Sequence, residues 1–100
     1  MTIYYESDKK ILELLNEHIN FDGKSMLDIG CGDGTITISL AEGTKRTVGI
    51  DPDVERITTA RTNTPSHLRG RLEYKNSSID DYNPAKTSTP FDIAFYLWSL

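Results

Sequence analysis

The sequence predicts an α/β domain built on a parallel sheet. Three observations carry that expectation. Helical and extended patterns alternate along the chain, a glycine-rich turn separates an extended segment from a helical one, and Phe91 to Leu97 is almost wholly apolar. One hundred residues allow a single domain with a modest core. Apolar residues make up 37% and charged residues 26%, a balance ordinary for a globular chain and too apolar for a disordered one.

Ser7-Asp8 can cap a first helix running to about Asn20, with Ile11, Leu12, Leu14, Leu15 and Ile19 mostly on one face of a 3.6-residue period. Phe21-Asp22-Gly23-Lys24 reads as a turn, and Ser25 to Ile29 as a short buried strand entering Gly30-Cys31-Gly32-Asp33-Gly34. A second helix follows, about Thr35 to Glu42. Its β-branched residues make it weak by propensity, but a strand that enters a glycine-rich turn usually leaves as a helix. Gly43 stops it, and Arg46 to Asp51 is the second strand. Pro52-Asp53 opens a third helix to about Asn63, with Asp53 as its cap, and Thr64-Pro65-Ser66 breaks it. Arg71 to Ser77 alternates apolar and charged residues, as a strand near an edge does. Asp80 to Pro90 is loop, with turn signals at Asn83-Pro84 and Thr89-Pro90. Phe91 to Leu97 should be a fourth strand, buried on both faces.

Charge and cysteine content narrow the chemistry. Eleven Lys+Arg against 15 Asp+Glu give a net charge of −4, so total charge does not indicate a nucleic-acid partner. Cys31 is the one cysteine, which rules out an intrachain disulfide and a thiolate cage for zinc. No apolar run approaches the roughly 20 residues that span a bilayer, and Met1 to Glu6 lacks the layout of a secretory signal. The expectation is a cytoplasmic chain with no membrane partner and no metal.

The informative stretch is Leu27-Asp28-Ile29-Gly30-Cys31-Gly32-Asp33-Gly34-Thr35. Glycine lets the backbone turn sharply and lets a ligand approach the main chain. A dinucleotide-binding turn would read G-x-G-x-x-G. Here Thr35 stands where that pattern wants glycine, and Gly34 comes one residue early. Asp28, two residues before the first glycine, is a poor neighbour for pyrophosphate and a good one for a cation.

These residues resemble the cofactor site of the class I S-adenosylmethionine-dependent methyltransferases, whose first motif, D/E-x-G-x-G-x-G, matches Asp28 to Gly34 throughout. The resemblance extends over roughly Lys24 to Leu100. It implies a Rossmann-like α/β fold with parallel strands in the order 3-2-1-4, helices on both faces, and S-adenosylmethionine as cofactor. Asp51, closing Val48-Gly49-Ile50-Asp51, falls where the family binds both ribose hydroxyls. Ser77 to Tyr82 falls where it reads the adenine, and Phe91-Asp92-Ile93-Ala94-Phe95 where its fourth element begins. The implied cofactor-binding residues are Asp28, Gly30, Gly32, Gly34, Asp51, Pro52, Ser78 and Ile79. The backbone at Gly30 and Gly32 would meet the methionine part, Asp28 would help hold its ammonium directly or through water, and Pro52 and Ile79 would sandwich the adenine. The family's usual adenine-binding acid aligns with Ser78, with Asp80 two residues on, so either can fill that role.

Plainer roles stand beside these. The glycine run could be a tight turn without a ligand, and Asp51 an acid stabilising a helix N-terminus. Ordinary packing suits Pro52 and Ile79 nearly as well as adenine contact. Asp92 reads as a turn acid and Cys31 as a small residue in a crowded turn, while His18 and His67 read as surface groups. Tyr4 and Tyr5 could lid the pocket, but a staple on the first helix is preferred. Arg56, Arg61, Arg69 and Arg71 could contact an RNA backbone, but a solvated face is preferred because no aromatic residue interleaves with them. A non-catalytic module of the same fold is the rival reading. An NAD-dependent oxidoreductase is disfavoured by Asp28 and Thr35.

The family's sheet has seven strands, and this sequence is expected to supply four. The chain would then be the N-terminal, cofactor-binding half of a methyltransferase. Its methyl acceptor and catalytic residues are not readable, and self-association through the unpaired fourth strand is expected.

Overall fold

The computed structural model describes residues 6–82 and 90–96. The elements are α1 (Glu6–His18), β1 (Ser25–Ile29), α2 (Thr35–Ala41), β2 (Arg46–Asp51), α3 (Val54–Asn63), a 3-10 turn (Ser66–Leu68), β3 (Leu72–Asn76) and β4 (Ile93–Tyr96). The four strands form one parallel sheet in the order β3-β2-β1-β4, the order that the family resemblance implies. Among the described residues, no helix is long and apolar enough to cross a membrane.

The helices differ from expectation in small, explicable ways. α1 already includes Glu6, so Ser7 and Asp8 lie within its first turn rather than before it. It ends at His18, and the Asn20 side chain accepts the Asp22 N–H in the turn that follows. Leu14 is exposed, off the buried stripe. Asp53 caps α3 as predicted, its carboxylate accepting the N–H groups of Glu55 and Arg56. Beyond the break at Pro65, Leu68 is drawn wholly into the core, which tightens Ser66–Leu68 into the short 3-10 turn.

All three α-helices among the described residues pack on one face of the sheet, not on both. α1 and α2 place Leu12, Leu15, Ile36 and Leu40 against Met26, Ile93 and Phe95. α2 and α3 place Ile38, Ala41, Ile57 and Ala60 against Leu72 and Tyr74. The strand residues in those two clusters share one parity in the register. The physical reason is handedness. The steps from β1 to β2 to β3 run the same way across the sheet, and right-handed crossovers then put both helices on the same side. The described ends of the connection from β3 back to β4 lie on the other face. There Tyr82 and Phe91 cover Leu27, Ile29, Val48 and Ile50. The Arg46 guanidinium lies 4.5 Å from the centre of the Phe91 ring.

β4 also departs from expectation. It starts at Ile93 rather than Phe91, and its exposure alternates: Ile93 and Phe95 are half-buried while Ala94 and Tyr96 are open. Among the described residues it is an edge strand with only its helical face covered, so it is not buried on both faces. Asp92 pins its start, because the Asp92 carboxylate accepts the Ser25 N–H and the Asp92 N–H donates to the Ser25 carbonyl, each at 2.9 Å. That is the turn role expected of this acid. The expectations for Tyr4, Tyr5, Asn83-Pro84, Thr89 and Leu97 lie outside the described residues.

At the opposite edge, Arg71 and Ser77 bond inward to β2, which by alternation turns the main-chain groups of Tyr74 outward. Arg61 reaches round from α3 and donates to the Tyr74 carbonyl at 3.1 Å.

Candidate functional site

The carboxyl ends of β1 and β2 meet the start of α2, and the glycine turn is folded into that junction. Gly30, Gly32 and Gly34 all have positive φ, at 76°, 59° and 84°. The N–H groups of Gly30 and Cys31 both donate to the Ile50 carbonyl, at 2.8 and 3.0 Å. The Gly32 N–H donates to the Asp51 carboxylate at 2.9 Å. The turn is thereby stitched to β2, and three consecutive amide protons are used inside the protein. A pyrophosphate-binding turn needs such protons free to point at the ligand.

The three glycines have different surroundings. Among the described residues, a side chain at Gly30 would approach only Tyr96, at 3.7 Å, and one at Gly32 only Arg56, at 3.7 Å. Among the described residues both faces are otherwise open, which is the fit a ligand lying against the main chain requires. A side chain at Gly34 would instead meet the Tyr74 hydroxyl at 2.9 Å and Ala60 at 3.1 Å. Gly34 is therefore where α2, α3 and β3 close on one another.

Two carboxylates lie below and beside this turn. Asp28 is 2% exposed, and its oxygen accepts the Thr37 hydroxyl from the buried side of α2. Burial pushes its carboxyl up to about 7, against the stabilising Thr37 bond, and the neighbouring Asp51 charge pushes the same way. Asp51 is 7% exposed. One of its oxygens accepts the Gly32 N–H and the other accepts the Asp53 N–H at 2.9 Å, so its plane is fixed from both sides. Each oxygen retains acceptor capacity. Asp28 and Asp51 are in mutual electrostatic contact, and the pair favours a cationic or hydroxyl-bearing ligand, with the Arg56 guanidinium the cation nearest to Gly32 among the described residues.

The remaining candidates lie around this junction. Pro52 is exposed directly after Asp51, and Ile79 is 42% exposed beyond β3. The Ser77 N–H donates to the Asp51 carbonyl, which ties that segment to β2. Ser78 donates its hydroxyl to the Asp81 carboxylate at 3.1 Å and accepts the Asp81 N–H at 3.3 Å, so it closes a local turn. Asp80 is exposed.

Cys31 packs beneath the turn, where its sulfur would lie 3.0 Å from a side chain on Gly49, so the glycine makes room for it. Burial first, then the Asp28 and Asp51 charges, push its thiol up to about 12, which leaves it protonated and unreactive. His18 and His67 are on the surface, and His67 pairs with Glu42 at 2.8 Å. The arginines are dispersed: Arg56 faces Asp53 at 3.7 Å, Arg71 bonds the Glu42 carbonyl, and Arg61 bonds β3. Two cavities, of about 560 and 480 Å³, lie at the end of α1 and along the β3 edge, and neither contains the turn.

The sequence reading missed three neighbours of the site. Thr37 carried a signal, a polar residue among the apolar positions of α2. Arg56 and Tyr96 carried none, because their approach to Gly32 and Gly30 depends on how α3 and β4 pass the turn.

A family model described as a methyltransferase domain matches residues 20–97. The chain is 32% identical over 83 residues to the mitochondrial ubiquinone biosynthesis O-methyltransferase of Schizosaccharomyces pombe, covering 81% of this chain and 29% of that one. It is 34% identical over 76 residues to the mouse tRNA (uracil-5-)-methyltransferase homolog A, covering 75% and 12%. Its fold is similar to that of a Haemonchus contortus phosphoethanolamine N-methyltransferase solved with phosphoethanolamine and S-adenosylhomocysteine. There the TM-score is 0.77 at 22% identity, over 94% of this chain and 19% of that one. The chain spans less than a third of each of these proteins.

Proposed function

The chain belongs to the methyltransferase domain family, of the class I S-adenosylmethionine-dependent type, and from that premise we propose that it supplies the cofactor-binding part of a longer methyltransferase. The observation that carries the proposal is the Gly32–Asp51 bond at 2.9 Å. It joins an open glycine turn to a fixed carboxylate and uses one of the amide protons that a phosphate ligand would need.

S-adenosylmethionine would bring an activated methyl group on a sulfonium, together with an ammonium, a carboxylate, a vicinal diol and an adenine. The open faces of Gly30 and Gly32 let the methionine part lie against the main chain. Asp51 has acceptor capacity for the two ribose hydroxyls, a geometry suited to one fixed carboxylate. Asp28 is too buried for broad contact, so its charge supports the ammonium from beneath the turn. Pro52 and Ile79 offer exposed apolar surface for the two faces of the adenine. Ser78 or Asp80 would meet the adenine edge, and Asp80 is the one whose side chain holds no local turn. Gly34 acts through packing. The protein's contribution to methyl transfer is then placement: holding the methyl carbon in line between acceptor and sulfur. Relatives named for ubiquinone biosynthesis and for tRNA methylation differ in acceptor, and the acceptor of this chain is left open.

Calorimetric titration of the chain with S-adenosylhomocysteine and with NAD tests the proposal. Binding of the first without the second is expected. Binding of NAD alone, or of neither, overturns it.

A further inference from the structure

The arginines of α3 and of the segment after it divide into two kinds. Arg56 lies 3.7 Å from the Asp53 carboxylate and Arg71 lies 3.9 Å from that of Glu42. Arg61 and Arg69 have no such neighbour: among the described residues, neither takes part in an ion pair. Both of them line the cavity of about 480 Å³ along the β3 edge. Arg61 comes to it from the last turn of α3, and Arg69 from the end of the 3-10 turn, where the chain enters β3. Leu72 and Tyr74, both buried, complete its floor.

The donors of this cavity are unevenly committed. One Arg61 N–H group bonds the Tyr74 carbonyl at 3.1 Å, which anchors the guanidinium at the sheet edge, and a guanidinium carries five such donors. The Arg69 side chain makes no hydrogen bond among the described residues. The hydroxyls of Thr62 and Thr64 already donate within or beside α3, to the carbonyls of Thr58 and Ala60. Glu73 is the one carboxylate of the lining, and it pairs with neither arginine. Two permanent positive charges against one negative charge, in a chain of net charge −4, make this cavity a local site for an anion.

We propose that the cavity binds a phosphate ester, its phosphate held by Arg61 and Arg69 and its carbon skeleton resting on the apolar floor at Leu72. Guanidinium groups match phosphate oxygens in pairs, and a cavity of this size has room for a sugar as well. A small phosphate ester and a nucleic-acid backbone present the same oxygens, so the chemistry recognised is shared by both. No residue of the glycine turn lines the cavity, and the proposal stands apart from the cofactor reading.

Calorimetry with uridine 5′-monophosphate, uridine and decauridylate tests it, on the chain and on Arg69→Gln and Lys45→Gln. Phosphate-bearing ligand should bind at millimolar concentration or below, and uridine should not. Arg69→Gln should weaken that binding about tenfold or more, the effect of one bond to a charged group. Lys45→Gln makes the same charge change on an exposed residue that does not line the cavity, and should leave binding nearly unaltered. Circular dichroism checks that both variants fold, which is expected because Arg69 is exposed and its side chain holds no partner. Decauridylate binding more than about tenfold tighter than the monophosphate, beyond its larger number of phosphates, assigns the site to a nucleic-acid backbone; a smaller difference assigns it to a small ester. Absence of binding by both phosphate ligands, uridine binding equal to that of the monophosphate, or equal losses in Arg69→Gln and Lys45→Gln would each overturn the proposal.

Discussion

Asp28 makes the stability of this protein depend on pH in the direction opposite to most carboxylates. Its carboxyl is raised from an ordinary 3.8 to about 7, first by burial and then by the Asp51 charge, with the Thr37 hydroxyl acting the other way. In the unfolded chain it ionises near 3.8; in the folded protein it resists until about 7. Below pH 3.8 it is neutral in both states and costs nothing. As pH rises from there through 7, the folded state must either hold a proton that the unfolded chain has released or bury a charge. Stability from this group is thus greatest in acid and is lost progressively up to about pH 7, then level. At about 1.4 kcal/mol for each pH unit the full loss approaches ~4 kcal/mol, a ceiling for a site this buried. Asp28→Asn preserves an acceptor for Thr37 and removes the titration. Urea denaturation of both proteins at half-unit steps from pH 4 to 8 should give a difference in unfolding free energy that moves steadily in favour of the variant as pH rises. Parallel curves across that range would falsify the assignment. On the cofactor reading, the same ionisation should tighten S-adenosylhomocysteine binding as pH rises towards 7, so ligand and fold would prefer different charge states of one residue.

Asp51→Ala should weaken S-adenosylhomocysteine binding by about 2–4 kcal/mol through two lost charge-assisted bonds, measured by calorimetry. It should also lower stability by about 1–3 kcal/mol, because Gly32 and Asp53 lose their acceptor; unchanged affinity in a folded variant would remove the ribose role. Gly32→Val and Gly34→Ala should separate binding from packing. The first abolishes binding by filling the open face at a φ of 59°, while the second lowers the melting temperature because its methyl meets the Tyr74 hydroxyl at 2.9 Å. The reverse pattern in calorimetry and thermal melts would contradict that division. The chain alone should self-associate through β4 and show little methyltransferase activity; light scattering that finds a strict monomer across a concentration series refutes the association.

The parts of this structure that were legible in the sequence are the parts set by local rules. Ser25 to Ile29 followed by alternating glycines announced a strand, a tight turn and a helix, and Asp53 announced the start of α3. Asp51 was singled out by the family resemblance, which puts an acid at the end of the second strand. What sequence alone could not supply depends on chirality and register. A right-handed crossover decides that α2 and α3 share a face, and no periodicity encodes it. The near-continuous apolar run at Phe91 to Leu97 pointed to burial on two sides, yet β4 is an edge strand and exposes Ala94 and Tyr96. The glycines looked equivalent, but Gly34 alone is hemmed in by α3 and Tyr74. Ser78 looked available for a ligand and is engaged with Asp81.

The Arg61 guanidinium on the Tyr74 carbonyl has a further consequence for how this sheet can grow. A strand joining at β3 would need that outward carbonyl for its own ladder, and would have to displace a charged donor to reach it. Lys75 and Glu73 beside it would add the cost of crowding charges against the newcomer. No such obstruction guards β4 among the described residues. Addition of strands to this domain, whether by covalent continuation, by a separate chain or by misfolded neighbours, is therefore polarised: the sheet has one closed end and one open end, and extension proceeds from the open one.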